Sequence, residues 1–269
     1  MKVVITGKGG VGKTSIAAAL SLQLAKRGYR VFALDTDSFP NLARSLGLPS
    51  EVLQSIVPLT RNAELVRERT GAAPGDGWGL LFSLTPKVDD LAEKYGVRVN
   101  ENLSLVVVGG IAQPKEGCMG PAIALAKSFL RHMLVSRGEV VIVDSEAGLE
   151  AFGRGLVEYF DLNLCVAEPT VKALEMCNKV FEMSEELGVR ESVLVVNKVR
   201  DAVAAGRLLR QFSFDEPFFV VRYDPLVEKV EQEGLGIEEA LGGQFWRDVE
   251  VLAKYVISSA RWEKCARVE

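Results

Sequence analysis

The chain has 269 residues, 48% of them hydrophobic and 25% charged, with a formal net charge of −4. This is ordinary globular composition with enough apolar material for a sizeable core, and the acidic balance excludes a global electrostatic pull toward nucleic acid. No apolar run approaches the ~18 residues that cross a bilayer. The N-terminus enters a strand-like run without a cleavable leader pattern, so a cytoplasmic location without stable membrane association is expected. The cysteines at 118, 165, 177 and 265 are scattered and form no C-x-x-C pair, which argues against a disulfide framework.

Residues 2–6, Lys-Val-Val-Ile-Thr, are short, β-branched and apolar and predict a buried strand. Residues 7–14 then read Gly-Lys-Gly-Gly-Val-Gly-Lys-Thr, which fills G-x-x-x-x-G-K-[ST] with Gly7, Gly12, Lys13 and Thr14. An Ala- and Leu-rich helix over 13–27 follows and stops at Gly28. Strand, glycine turn and helix start are the context of a phosphate-binding loop. The glycines let consecutive N–H groups turn inward, and the positive end of the helix dipole faces the anion. Candidate nucleotide contacts are therefore Gly9, Gly10, Val11, Gly12, Lys13, Thr14 and Ser15. Lys13 is expected to neutralise the β- and γ-phosphates, and the Thr14 hydroxyl to sit on Mg²⁺.

A strand at 30–34 runs into Asp35-Thr36-Asp37. Two carboxylates two residues apart project to one side of an extended chain. One of them, Asp37, is assigned to the attacking water and Asp35 to Mg²⁺. The alternative is that Asp37 or Ser38 caps a short helix over 40–46. Helices are predicted at 59–70, 119–136, 170–187, 202–211, 226–232 and 244–262. Further strands are predicted at 103–108, 139–144, 161–167, 192–197 and 217–221. Residues 71–100, with several Gly and Pro, read as a loop-rich insertion in a single domain spanning 1–269.

This alternation implies an α/β fold, a mainly parallel sheet with helices on both faces and ligands at the carboxyl ends of the strands. The strand 139–144 ends in Asp144, placed to hold a water on Mg²⁺. The N–H of Gly148 in the following Ser145-Glu146-Ala147-Gly148 is expected to be available to the γ-phosphate. The strand 192–197 ends in Asn197-Lys198, where Asn197 is placed to pair with a base edge. Guanine readers carry N-K-x-D, but here the fourth residue is Arg200, so adenine is favoured and the nucleotide pair is ATP/ADP.

With Lys8 included, the loop K-G-G-V-G-K-T resembles the deviant Walker A of the MinD/ParA/nitrogenase-iron-protein class of P-loop NTPases. The resemblance implies a nucleotide-sandwich homodimer in which Lys8 reaches the partner's phosphates. Such a cation in trans stabilises transition-state charge. Within the class the chain looks most like the CooC ATPases, which deliver nickel to carbon monoxide dehydrogenase. The likeness runs through Asp35-Thr36-Asp37, Gly117-Cys118, the stretch from Asp144 to Glu150, Gly153-Arg154-Gly155 and Asn197-Lys198. It implies a metal site at the dimer interface built on Cys118. The CooC pattern is C-x-C, however, and here Gly120 stands where the second cysteine belongs, so a dimer offers two Cys118 thiolates. That is short of a square-planar Ni²⁺ or tetrahedral zinc set, which leaves weak metal binding, a softer ion, or no metal and action by nucleotide-dependent docking alone.

The leading expectation is an ATP-hydrolysing homodimeric switch, with Lys8, Lys13 and Asp37 catalytic, that assists metal insertion into a client such as carbon monoxide dehydrogenase. A MinD- or ParA-like positioning or partitioning ATPase is the alternative, as is a nucleotide-gated regulator with little turnover.

Overall fold

Strands that are apolar on both faces build the centre of the protein. A computed structural model describes residues 1–76, 81–110, 119–133, 138–148, 158, 160–212 and 214–260. Eight strands form one sheet: β1 (Lys2–Gly7), β2 (Arg30–Asp35), β3 (Val97–Arg98), β4 (Leu103–Val107), β5 (Glu139–Asp144), β6 (Leu162–Ala167), β7 (Ser192–Val199) and β8 (Phe218–Arg222). Their spatial order is β3-β4-β2-β5-β1-β6-β7-β8, parallel throughout except for the antiparallel edge strand β3. Parallel strands covered on both faces read as continuous Val/Ile/Leu runs, as β1 and β5 do here.

The period-two alternation of side chains divides the core in two. Val3 and Ile5 of β1 point to one layer and Val4 to the other. The first layer holds α1 (Lys13–Lys26) and α10 (Gln244–Ser259). Ile16, Leu20 and Leu24 of α1 pack there with Val249, Leu252 and Val256 of α10. Each such side chain contributes about 1.5–3 kcal/mol when fully buried. The second layer holds Phe129 of α6 (Gly120–His132) and Leu174 and Phe181 of α7 (Val171–Glu186). Along the chain the remaining helices are α2 (Leu42–Ser45), α3 (Ser50–Ser55), α4 (Ala63–Thr70), α5 (Leu91–Tyr95), α8 (Ala202–Phe212) and α9 (Pro225–Glu233).

The predicted strands all form within a residue or two of their expected bounds. Local features differ from the sequence reading, among them α3 and a 3₁₀ turn at Ile237–Ala240, neither of them predicted. The edge strand β3 and the helix α5 occupy part of the 71–100 segment expected to be loop. The predicted helix 59–70 is a 3₁₀ turn, Leu59–Arg61, followed by α4, because the Asn62 side chain accepts from Leu65 N at 3.0 Å and starts a new helix there. The predicted helix 119–136 is described as far as His132, and residues 134–137 lie outside the described part. The short helix expected at 40–46 is α2, and neither Asp37 nor Ser38 caps it. Asp35 Oδ2 accepts from Leu42 N at 2.9 Å instead.

Candidate active site

At the carboxyl end of the sheet β1 is flanked by β5 and β6, with the succeeding strand β2 displaced to one side, so a crevice opens beyond β1. The loop after β1 fills it. Gly7 has φ 134°, and a Cβ there would lie 2.1 Å from Val166 O, so only glycine lets β1 turn this close to β6. Gly12 has φ 93° and is the N-cap of α1, with no side chain closing the helix end. The first-turn N–H groups of Lys13, Thr14 and Ser15 therefore face the crevice, where an anion satisfies them.

Tertiary contacts hold the loop in shape. Asn197 Nδ2 donates to Val11 O at 2.8 Å, and Lys198 Nζ donates to Gly10 O at 2.6 Å and to Glu168 Oε1 at 2.9 Å. Lys198 reaches the loop from a left-handed backbone, φ 57°, where the pairing of β7 with β8 shifts register. That conformation is costly for a side chain other than glycine and aims its ammonium at Gly10. Asn197, expected at a base edge, thus gives one amide hydrogen to the loop; the residue is buried and also lines the cavity described below. Gly148 N is likewise engaged: it donates to Gly7 O at 3.3 Å in an isolated antiparallel bridge. A γ-phosphate at the Gly148 N–H would compete with Gly7 O for it. The Ser15 hydroxyl donates to Glu231 Oε1 at 2.5 Å.

The two loop lysines differ in exposure. Lys13 is buried, and its Nζ donates to Lys8 O at 3.2 Å. Burial lowers its pKa, against the attraction of Asp144 and Asp37. Lys8, Gly9 and Gly10 are exposed.

Asp35 and Asp144 are paired in register at the ends of β2 and β5. Burial pushes Asp144 up to about 8, helped by the Asp35 charge and opposed by the Thr14 hydroxyl and Lys13. Asp144 Oδ1 is buried without a hydrogen-bond partner. An orphaned carboxylate oxygen beside the Thr14 hydroxyl fits a hydrated Mg²⁺. Asp35, assigned to the same cation from sequence, also accepts from the main chain. Its Oδ1 accepts from Asp37 N at 3.0 Å and its Oδ2 from Leu42 N, and burial raises it to about 6. It shapes the 36–42 turn, with each oxygen accepting one main-chain N–H, whereas Asp144 Oδ1 accepts none. Asp37 Oδ1 accepts from Phe39 N at 3.0 Å, and its charge is felt by both Lys13 and Asp144. Ser38 Oγ donates to Glu146 Oε1 at 2.8 Å, linking the segment after β2 to the segment after β5.

Beyond the loop lies a cavity of about 740 Å³, lined among others by Gly12, Glu168, Asn197, Arg200, Tyr223 and Glu231. Its size suits a nucleoside joined to phosphates on the loop. Residues 2–237 match the model of the CobQ/CobB/MinD/ParA nucleotide binding domain. The chain belongs to the CobQ/CobB/MinD/ParA family.

With that membership it is a P-loop ATPase. It is 39% identical over 259 residues to an uncharacterized ATP-binding protein of Methanocaldococcus jannaschii, covering 96% of this chain and 98% of the relative. It is 36% identical over 235 residues to the carbon monoxide dehydrogenase accessory protein CooC of Rhodospirillum rubrum, covering 87% and 88%. Its fold superposes on the septum site-determining protein MinD of Pyrococcus horikoshii, solved with Mg-ADP, with TM-score 0.67, 20% identity and 97% and 98% of the two chains covered.

The cavity of this CobQ/CobB/MinD/ParA-family protein has walls that sequence reading missed. The Arg200 guanidinium lies 3.5 Å from the centre of the Tyr223 ring, whose hydroxyl donates to Glu228. The signal available was indirect: Arg200 in place of the N-K-x-D acid, and Tyr223-Asp224 just after a strand. Asp224 itself is structural, since it accepts from Leu226 N and Phe245 N. Cys118, Glu150, Gly153 and Arg154 lie outside the described residues, and His132 is exposed. Among the described residues no group of three or more His, Cys, Asp or Glu side chains is arranged to hold a metal ion.

Proposed function

We propose that the protein is a nucleotide-dependent homodimeric switch that hydrolyses ATP and assists insertion of a metal, nickel by chemical class, into a client metalloenzyme such as carbon monoxide dehydrogenase. The observation that carries the switch is the contrast between buried Lys13 and exposed Lys8 in one loop. Lys13 serves its own site from within, whereas exposed Lys8 is free of the core for a second copy to receive. The client reading is supported by the 36% identity to CooC along most of both chains.

In this reading Lys13 and the first-turn N–H groups of α1 hold the phosphates, while Thr14 and Asp144 hold Mg²⁺. The bound ion neutralises phosphate charge. Asp37, kept in place by Phe39 N and the 35–42 turn, orients water and takes its proton. Lys8 from the second copy stabilises charge on the transferring phosphoryl group. The Ser38–Glu146 link makes the two segments move together when the γ-phosphate leaves.

Lys8→Ala is expected to abolish steady-state phosphate release while leaving ADP binding measurable by calorimetry; undiminished turnover would remove the trans role of Lys8. For the cargo, the test is metal analysis of anaerobically purified protein with ADP and with ATP, beside Cys118→Ala. Stoichiometric metal that disappears with the thiol supports a carrier, and its absence under both nucleotides rejects one.

The positioning-ATPase alternative needs a surface for membrane or DNA. The apolar face of α10, the helix most open to that use, is packed against α1. Co-sedimentation with liposomes or DNA in the presence of ATP tests that alternative, and binding to either would favour it.

A further inference from the structure

Cys165 and Cys177 were separate features of the sequence, but the fold brings them together. Cys165 stands in β6, beside Thr6 of β1 in the sheet, directly behind the phosphate loop. Cys177 is in the first half of α7, which packs on that strand. Both are free thiols, 0% and 1% exposed, with Cys165 Sγ donating to Cys177 Sγ at 2.7 Å. That is close for two sulfurs without a bond, and small rotations of the two side chains bring them to covalent distance. The surroundings are apolar: Leu174, Val180, Leu194 and Val196 belong to the same core layer.

We propose that Cys165 and Cys177 are a two-electron redox pair that closes to an intramolecular disulfide. With hydrogen peroxide as oxidant, one thiol is first oxidised to a sulfenic acid, breaking the O–O bond and releasing one water. The second sulfur then displaces the hydroxyl group as a second water. Two S–H bonds are lost, one S–S bond forms, and peroxide accepts the two electrons. Burial keeps the Cys165 thiol protonated, so exchange through the folded protein is slow and the pair oxidises on local opening of α7 or during folding.

The bond encloses the segment from β6 to α7, which includes Glu168, Pro169 and Thr170 of the cavity wall. Closing so short a loop restricts the unfolded chain, and the oxidised protein is expected to melt roughly 5–10 °C above the reduced one.

The test takes the full-length protein, reduced and then exposed to hydrogen peroxide, either folded or while refolding from guanidinium. Free thiols are alkylated under denaturing conditions before tryptic digestion and mass spectrometry. Lys172 lies between the two cysteines, so cleavage leaves them on separate peptides that only the S–S bond holds together. The expected result in either arm is that linked pair, with Cys118 and Cys265 alkylated and the higher melting temperature reversed by reductant. Cys177→Ala and Cys165→Ala should each lose the linked pair and the reductant-dependent shift. Four alkylated cysteines in both arms, links involving other cysteines, or sulfinic acid without a link would overturn the proposal.

Discussion

Ser38 Oγ donates to Glu146 Oε1 at 2.8 Å across the gap between the carboxyl ends of β2 and β5. The bond joins the turn that carries Asp37 to the turn that carries Gly148. It is buttressed from behind, since Arg61 donates to Ser38 O and Thr36 Oγ1 donates to Asp144 O at 2.9 Å. Gly110 fits against the same serine so closely that a Cβ there would lie 2.0 Å from Ser38 Oγ.

Removing this bond is expected to loosen Asp37 without touching the phosphate cradle. A hydrogen bond to a charged group contributes about 1.5–3 kcal/mol, although part of that is regained from water at this half-exposed position. Ser38→Ala and Glu146→Gln should each lower kcat by about 3–10-fold and leave the ADP dissociation constant unchanged. The double variant should lose no more than either single one. Additive losses in a double-mutant cycle would show that the two residues act separately.

Asn197 invites a different experiment, because its side-chain donor supports the loop. Asn197→Ala leaves the Val11 carbonyl without its partner inside the protein, at a cost of about 1–3 kcal/mol. The melting temperature should fall and ADP affinity should drop about tenfold, as the loop loses its preformed shape. Asn197→Asp should be worse, since a carboxylate oxygen would then face that carbonyl. Unchanged loop stability with altered adenine-over-guanine preference would instead return Asn197 to base reading.

Much of the loop was legible because its constraints are local. Gly12 and Lys13-Thr14 need no knowledge of the fold, and an apolar strand ending in Asp144 announces its own terminus. The contacts that correct the first reading are between distant segments. The Val11–Asn197, Gly7–Gly148 and Ser15–Glu231 pairs, and the contact of Cys165 with Cys177, depend on how the strands are ordered in the sheet. Residue spacing cannot decide whether a polar side chain at a strand end faces ligand or backbone. Asp35 shows this: its spacing from Asp37 is that of a catalytic pair, yet both its oxygens accept from the main chain. The edge strand β3 escaped for another reason, being two residues long and too short for any periodicity.

The buried acids predict how stability responds to pH. Asp144 is raised to about 8 and Asp35 to about 6, both from an ordinary value of 3.8. Between about pH 4 and 8 the folded protein therefore holds protons that the unfolded chain has released. Ligand-free stability should fall as pH rises through this window and level off above about 8. Acids held low by partners, such as Asp90 beside Arg69, act in the opposite sense and only at lower pH. If Asp144 holds Mg²⁺ as proposed, it must be ionised to do so, and Mg-ADP binding should release a proton and tighten as pH rises to about 8. Calorimetric melting at pH 5.5 and 8.5, with and without Mg-ADP, measures both trends. Asp144→Asn should reduce the ligand-free slope to the smaller share that Asp35 contributes; a slope unchanged in that variant would place the main titrating group elsewhere.

Two glycines with positive φ separate backbone strain from steric conflict. Gly28, φ 85°, ends the turn after α1, and a Cβ there meets nothing within 4 Å. Gly28→Ala should cost about 1 kcal/mol, the penalty of a left-handed alanine, and leave ADP affinity intact. Gly7 has φ 134° and, in addition, the main-chain oxygen of Val166 at 2.1 Å from the would-be Cβ. A main-chain carbonyl in a central strand cannot turn aside as a flexible side chain does, so β1 and β6 must separate beneath the phosphate loop. Gly7→Ala is expected to lose more than 3 kcal/mol or fail to fold, and any folded fraction should bind ADP weakly. Denaturant midpoints for the two variants measure the difference. Equal midpoints would mean that β6 yields at Val166, and that the close approach of these strands is not what fixes the loop.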